Sequence, residues 1–371
     1  MSDTRAWPGP VKAEPNFSEL LKVLRRERPS RPVLGELFMN GPLYDMVIGP
    51  KTVERIAGRP GREAVRRIHA FRAMGYDYAT VGASAFEFPR KEIAHANTIS
   101  LNEGTMISDR ASFEKYPWPD PESFPLHGIE AARSELPDGM KLVIIGPCGV
   151  LENLVRMVGY ENLCMMIYDD PELVGEIAGA IGSRLVKYYQ LALQHDSVGA
   201  IWCNDDWGFK TQTMLAPDDM RRFIVPWHKK IAEAAHAAGR PVIMHSCGKL
   251  HEVTDDIVDV IGHDGKHSYE DAIEPVEQAY ERLSGRIAVI GGIDVDFVCR
   301  STPREVHERS RRMIERSRTR GGYALGTGNS VPEYVPLEKY LAMISAVNRE
   351  RDDAWAEWAE ELEKQPVRKA G

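Results

Sequence analysis

No apolar run in this chain approaches the roughly 18 residues that cross a bilayer, so no transmembrane helix is expected. Basic charge is also short. Lys and Arg number 47 against 55 Asp and Glu, and the net charge of −8 argues against the basic face that nucleic acid requires. The first thirty residues carry Asp3, Glu14, Glu19 and several prolines but no apolar core of signal-peptide type. The five cysteines (148, 164, 203, 247 and 299) are odd in number and scattered. That usage excludes a disulfide framework and points to a reducing compartment, with the cytoplasm as the expected location. Solenoid repeats, low-complexity tracts and a convincing interdomain linker are missing too. With 371 residues, 43% hydrophobic, what remains is an ordinary globular composition of a length that suits one large α/β domain.

The most informative stretch is Pro241–Gly248. Its first residues read as a short buried strand that runs into His245 and Cys247. Residues two apart in extended chain project from one face, so the imidazole and the thiol point to one place just past the strand end. Gly248 follows, where the backbone can turn sharply. Imidazole and thiolate together suit a soft divalent metal, zinc above all. A structural zinc site requires four ligands, so further donors must come from elsewhere.

Around that stretch the pattern alternates. Strands are expected at Pro32–Phe38, Tyr76–Gly82, Lys141–Gly146, Gly199–Asn204, 241–246, Asp264–Ser268, Arg286–Gly292 and Gly322–Gly326. Helical segments separate them, and a long insertion over 84–135 contains the loop Pro-Trp-Pro-Asp-Pro. Eight strands alternating with helix predict a single (β/α)8 TIM barrel over 31–348. An N-terminal arm and helix over 1–30, capped by Asn16, precede it, and a charged C-terminal helical tail over 349–371 follows. Trp355 and Trp358 in that tail read as packing residues.

In such barrels the site gathers at the C-terminal strand ends. There stand Glu36, Asn204-Asp205-Asp206, His245 and Cys247, His267 with Glu270, Asp294, and Thr327 with Asn329. Asp205 and Asp206 suit acid–base work, substrate binding or the orientation of a ligating histidine, and one of them equally suits capping the next turn. Glu270 offers an oxygen ligand to a metal at His245 and Cys247, or is a charged loop residue. His267 reads as a hydrogen-bonded structural histidine.

The segments Asn204-Asp-Asp-Trp-Gly-Phe-Lys, His245-Ser-Cys-Gly, Gly291-Gly-Ile-Asp294 and Leu325-Gly-Thr-Gly-Asn-Ser-Val-Pro332 fall in this order along the chain. The chain resembles the uroporphyrinogen decarboxylase-like superfamily of (β/α)8 barrels over residues 30–348. That superfamily holds porphyrinogen decarboxylases and zinc-dependent methyltransferases that serve corrinoid proteins and thiols. The resemblance favours the methyltransferase branch, whose His-x-Cys matches His245 and Cys247. Asn329 stands where those relatives carry a last-loop cysteine, so Glu270 or Glu36 is expected to complete the metal. The decarboxylases carry an arginine-rich motif after the first strand, where this chain has Gly35-Glu-Leu-Phe-Met-Asn-Gly41, and tend to have histidine at the position of Thr327.

The resemblance thus implies a zinc-dependent enzyme moving a methyl group between a small methylated substrate or thiol and a corrinoid. No corrinoid-binding segment is recognisable, so the corrinoid is expected on a partner protein. Asp205 and Asp206 are the expected catalytic groups, and Glu36, Asn204, Asp294, Thr327 and Asn329 the expected substrate contacts. A second copy of the chain is a further candidate partner. The alternatives are a carboxy-lyase acting on a carboxylated or tetrapyrrole substrate, and a non-catalytic barrel that holds a corrinoid or tetrapyrrole.

Overall fold

A computed structural model describes residues 7–90, 101–102 and 104–366. The first six residues of the expected arm, ten and one residues of the expected insertion (91–100 and 103), and the last five of the tail lie outside it. Among the described residues no helix is long and apolar enough to cross a membrane.

Seven strands form one sheet in chain order: β1 (Tyr78–Gly82), β2 (Lys141–Ile145), β3 (Val198–Asn204), β4 (Val242–His245), β5 (Gly265–His267), β6 (Ala288–Ile290) and β7 (Tyr323–Ala324). The pairs β3–β4, β5–β6 and β6–β7 are parallel. The strands are buried almost throughout, and β2, β3 and β6 are near-continuous apolar runs, as parallel strands covered on both faces require. Contacts divide the chain into two compact units, one comprising Met1–Val81, Gly128–Val143 and Asp264–Gly371, the other Gly82–His127 and Ile144–His263.

In the first unit the expected strand at Pro32–Phe38 is not a strand. Leu34 makes only an isolated parallel bridge to Leu325, through Gly35 N–H to the Leu325 carbonyl (2.7 Å) and Leu325 N–H to the Val33 carbonyl (2.8 Å). On its other side, side chains take the place of a ladder. The Tyr78 hydroxyl accepts from Glu36 N–H (2.6 Å) and donates to the Glu36 carbonyl (2.7 Å), while the Thr80 hydroxyl donates to the Leu37 carbonyl (2.5 Å). A backbone satisfied by hydroxyls has no need of a neighbouring strand. The sequence reading also passed over helical structure within Gly41–Ile56, where Gly49, at φ 75° and ψ 159°, divides two helical segments at a kink.

The expected tail holds the helix Asp353–Glu363, capped by the Asp352 carboxylate on Ala354 N–H (3.0 Å), and the helix Leu337–Asn348 precedes it. Trp355 is fully buried, edge-on to both Trp7 and Trp358, and its indole N–H donates to the Gly9 carbonyl (3.1 Å). The packing role expected of this pair holds for Trp355.

Candidate metal centre

In the second unit the register of β3 on β4 pairs Asn204 with His245. The two chains leave the sheet together, so Asp206 and Cys247, each two residues further on, lie at one level. Asp205 N–H donates to the His245 carbonyl (3.0 Å), Cys247 N–H to Asp206 Oδ1 (2.9 Å), and Trp207 N–H to Ser246 Oγ (3.0 Å). Gly248 closes the arrangement at φ 87°, pressed so closely on Gly208 that a Cβ there would strike the Gly208 backbone. Glycine is required at this position by both its backbone angle and its space.

The outcome is a triad. One ligand-capable atom each of Asp206, His245 and Cys247 lies within 4.8 Å of the others. His245 Nε2 stands 3.6 Å from Cys247 Sγ and 3.7 Å from Asp206 Oδ1. Atoms bound tetrahedrally to zinc at about 2.0–2.3 Å lie about 3.3–3.8 Å apart, and the nitrogen stands at that spacing from both the sulfur and the oxygen. The imidazole is 8% exposed and the Asp206 side chain 43%, which leaves one flank open, as a catalytic zinc requires and a structural zinc does not. The oxygen-bearing member of the triad is Asp206, which the sequence reading placed with Asp205 as an acid–base candidate, offering Glu270 or Glu36 as the oxygen ligand. Pairing between two distant strands, which residue spacing does not reveal, makes the difference. Glu270 lies in the first unit, half-buried, where its backbone carbonyl accepts from Ile273 and Glu274 N–H (2.9 Å each).

Behind the triad Asp205 is fully buried. Its Oδ1 accepts from Glu152 N–H (2.8 Å), and its Oδ2 from Leu151 N–H (3.0 Å), Trp207 Nε1 (2.9 Å) and His228 Nε2 (2.8 Å). Leu151 and Glu152 open the helix Val150–Val158, so Asp205 caps that helix from outside. A Cβ on Gly149 would collide with the Asp205 carboxylate. Asp205 thus caps a helix that lies 53 to 54 residues before it in the chain, where the sequence reading had one of the two aspartates capping the turn that follows.

Two residues here escaped the sequence reading. Glu152 is raised to about 8 by burial and then by the charges of Asp205 and Asp206, so it keeps a proton at neutral pH. From sequence it is an ordinary acidic residue in a helix's first turn. His228, in the helix Val225–Ala237, reads as one polar residue in an amphipathic pattern. Neither has a local signal, because both depend on the long-range placement of Asp205.

Of the other expected site residues, Asn204 lies in this unit, paired with His245, and the rest lie in the first unit. Asn204 is half-buried, and its Oδ1 has no hydrogen-bond partner among the described residues. In the first unit the buried Glu36 accepts from Thr327 N–H (3.1 Å) and Oγ1 (2.8 Å), and burial raises it to about 8 against the pull of those bonds. Thr327 Oγ1 also meets the Asn329 carbonyl, and Asn329 Oδ1 accepts from Ser330 N–H (2.7 Å). Asp294 caps a helix through Phe297 N–H (2.9 Å) and accepts from Asp271 N–H (2.8 Å). His267 is buried and bonded to the Thr327 carbonyl (3.1 Å), the structural role expected of it.

Fold and triad together define a parallel α/β chain with a half-open cluster of metal-capable side chains at the ends of two adjacent strands. The chain belongs to the uroporphyrinogen decarboxylase (URO-D) family, whose model matches residues 18–350. It is 25% identical to a uroporphyrinogen decarboxylase of Anaeromyxobacter dehalogenans over 260 residues, which cover 66% of this chain and 70% of that protein. It is 23% identical over 192 residues to a methylated-thiol–coenzyme M methyltransferase of Methanosarcina mazei, covering 52% of this chain and 48% of the relative. Among solved structures, a methyltransferase from Methanosarcina mazei aligns with a TM-score of 0.66 at 16% identity, covering 91% of this chain and 99% of that one. At that identity the likeness speaks for the fold.

Proposed function

We propose that this chain is a zinc-dependent methyltransferase, moving a methyl group between a small methylated substrate and a corrinoid carried by a partner protein. The observation that carries the reading is the spacing of Asp206, His245 and Cys247, whose donor set fits zinc. When bound, the metal supplies Lewis acidity, either lowering a substrate thiol's pKa or polarising a methyl-bearing oxygen or nitrogen. One thiolate among three ligands leaves the ion more positive than two would, which favours activation of an ether or amine methyl donor over activation of a thiol. Asp205 serves the reading as a positioning group, since the four donors around its carboxylate are the protein's own. Asn204, paired with His245 across β3 and β4, is the residue of this unit expected to meet substrate, although its Oδ1 is buried and without a partner among the described residues.

A second reading, carboxy-lyase chemistry, draws on relatives named uroporphyrinogen decarboxylase. Against it stands Gly35–Gly41, which has no arginine to hold a polycarboxylate.

One experiment separates the two. The purified chain is mixed anaerobically with cob(I)alamin and a panel of methyl ethers, methylamines and methyl thioethers, and methylcobalamin formation is followed by absorbance. Methylation with at least one donor, falling to background in Cys247→Ser, is the expected result. Turnover that survives Cys247→Ser, or decarboxylation of uroporphyrinogen by the same preparation, contradicts the proposal.

A further inference from the structure

The helix Val225–Ala237 keeps an imidazole in the core at a cost. His228 is buried, and its Nδ1 has no hydrogen-bond partner among the described residues. Edge-on to it, with ring centroids 5.8 Å apart, lies His263, buried with both ring nitrogens likewise unpartnered. Unpaired buried nitrogens are unfavourable, each by about 1–3 kcal/mol. A purely packing position is better filled by leucine or phenylalanine. What His228 provides in return is one bond, Nε2 to Asp205 Oδ2 at 2.8 Å. A carboxylate oxygen only accepts, so that bond fixes the ring proton on Nε2.

The bond matters because of where Asp205 sits. Its backbone N–H is tied to the His245 carbonyl, and its chain neighbour Asp206 accepts from Cys247 N–H. A backbone shift at Asp205, released when its carboxylate loses its anchors, is therefore passed on to His245 and, through Asp206, to Cys247. Ligands must lie within about 0.2 Å of ideal for tight metal binding. Trp207 Nε1 acts on the same oxygen, and its ring packs edge-on to His228 with centroids 5.0 Å apart.

We propose that His228 is a positioning residue of the metal centre, holding the Asp205 carboxylate, with Trp207, so that Asp206, His245 and Cys247 keep their ligating spacing. The assignment rests on the metal reading above and extends it to a residue that touches neither metal nor substrate.

The test uses the full chain as His228→Leu, which removes the donor at similar size, and His228→Gln, whose amide N–H can reach the position of Nε2. Trp207→Phe removes the second donor while keeping the ring. Zinc affinity is measured by competition with a chromophoric chelator, and Cys247 alkylation by iodoacetamide is followed by mass spectrometry on metal-free protein. Partners behind the ligands typically govern 10–100-fold in affinity, so His228→Leu should weaken zinc by about that factor. Trp207→Phe should weaken it in the same direction, and His228→Gln should restore most of the loss. In metal-free protein Cys247 should alkylate several-fold faster in His228→Leu and at the wild-type rate in His228→Gln.

A His228→Leu variant that melts earlier yet binds zinc and alkylates like wild type overturns the proposal and leaves His228 a core residue. Should His228→Leu fail to fold, wild-type affinity and alkylation in Trp207→Phe together with no advantage of His228→Gln overturns it equally. Should wild type bind no zinc, the metal reading fails on its own, and the alkylation rates still decide whether His228 positions the Cys247 loop.

Discussion

Replacing Asp205 with alanine is expected to destabilise the chain by about 3–5 kcal/mol, the usual cost of removing one partner from a buried, hydrogen-bonded charge site. The carboxylate is fully buried and accepts four donors. Alanine leaves Leu151 and Glu152 N–H, the Trp207 indole and the His228 imidazole without acceptors, each orphan costing about 1–3 kcal/mol where water cannot reach it. It also removes the negative charge at the N-terminus of the helix Val150–Val158. Asp205→Asn should fall between the two, because its Oδ1 can accept three donors while its amide opposes one. The measurement is urea unfolding followed by circular dichroism and fluorescence, which must coincide before a free energy is taken. A loss below about 1 kcal/mol is what an exposed carboxylate would give, and it would contradict the placement described.

The second large effect concerns pH. Glu36 is fully buried and raised from 4.5 to about 8, chiefly by burial, against the lowering pull of Thr327 and Leu37 N–H. A raised acid keeps its proton in the folded chain at pH values where the unfolded chain has released it. Its favourable contribution is therefore fully present below pH 4.5 and is lost as pH rises through about 8. Across that window stability should fall by about 1.4 kcal/mol per pH unit from this group alone, an upper bound of about 5 kcal/mol in all. Glu36→Gln keeps the shape and removes the titration. The variant should match wild type near pH 4 and exceed it by several kcal/mol at pH 8. Parallel stability curves for the two proteins would show that the Glu36 carboxyl is not held neutral by the fold.

Much of the fold was legible because parallel strands are short apolar runs and the helices between them carry their own caps. Asn16, Thr302 and Asp352 each accept from a backbone N–H at the start of a helix. The stretch at 32–38 was misread because hydroxyls of Tyr78 and Thr80, far away in sequence, satisfy a backbone that looks like a strand. At the site, His245 and Cys247 were legible from local geometry, since residues two apart share a face of extended chain. Asp206 as their oxygen partner was not, because it follows from the Asn204–His245 register across two strands. His228 and Glu152 were hidden for the same reason. Each acquires its meaning only through Asp205, which neighbours neither in sequence.

The most direct test of the metal centre is elemental analysis of the purified chain, as wild type, His245→Ala, Asp206→Ala and Glu270→Gln. The triad predicts about one zinc per chain in wild type and in Glu270→Gln, and none in His245→Ala or Asp206→Ala. Wild-type protein without stoichiometric metal after anaerobic purification, or full metal content in both triad variants, would contradict it and leave His245, Cys247 and Asp206 as ordinary strand-end residues.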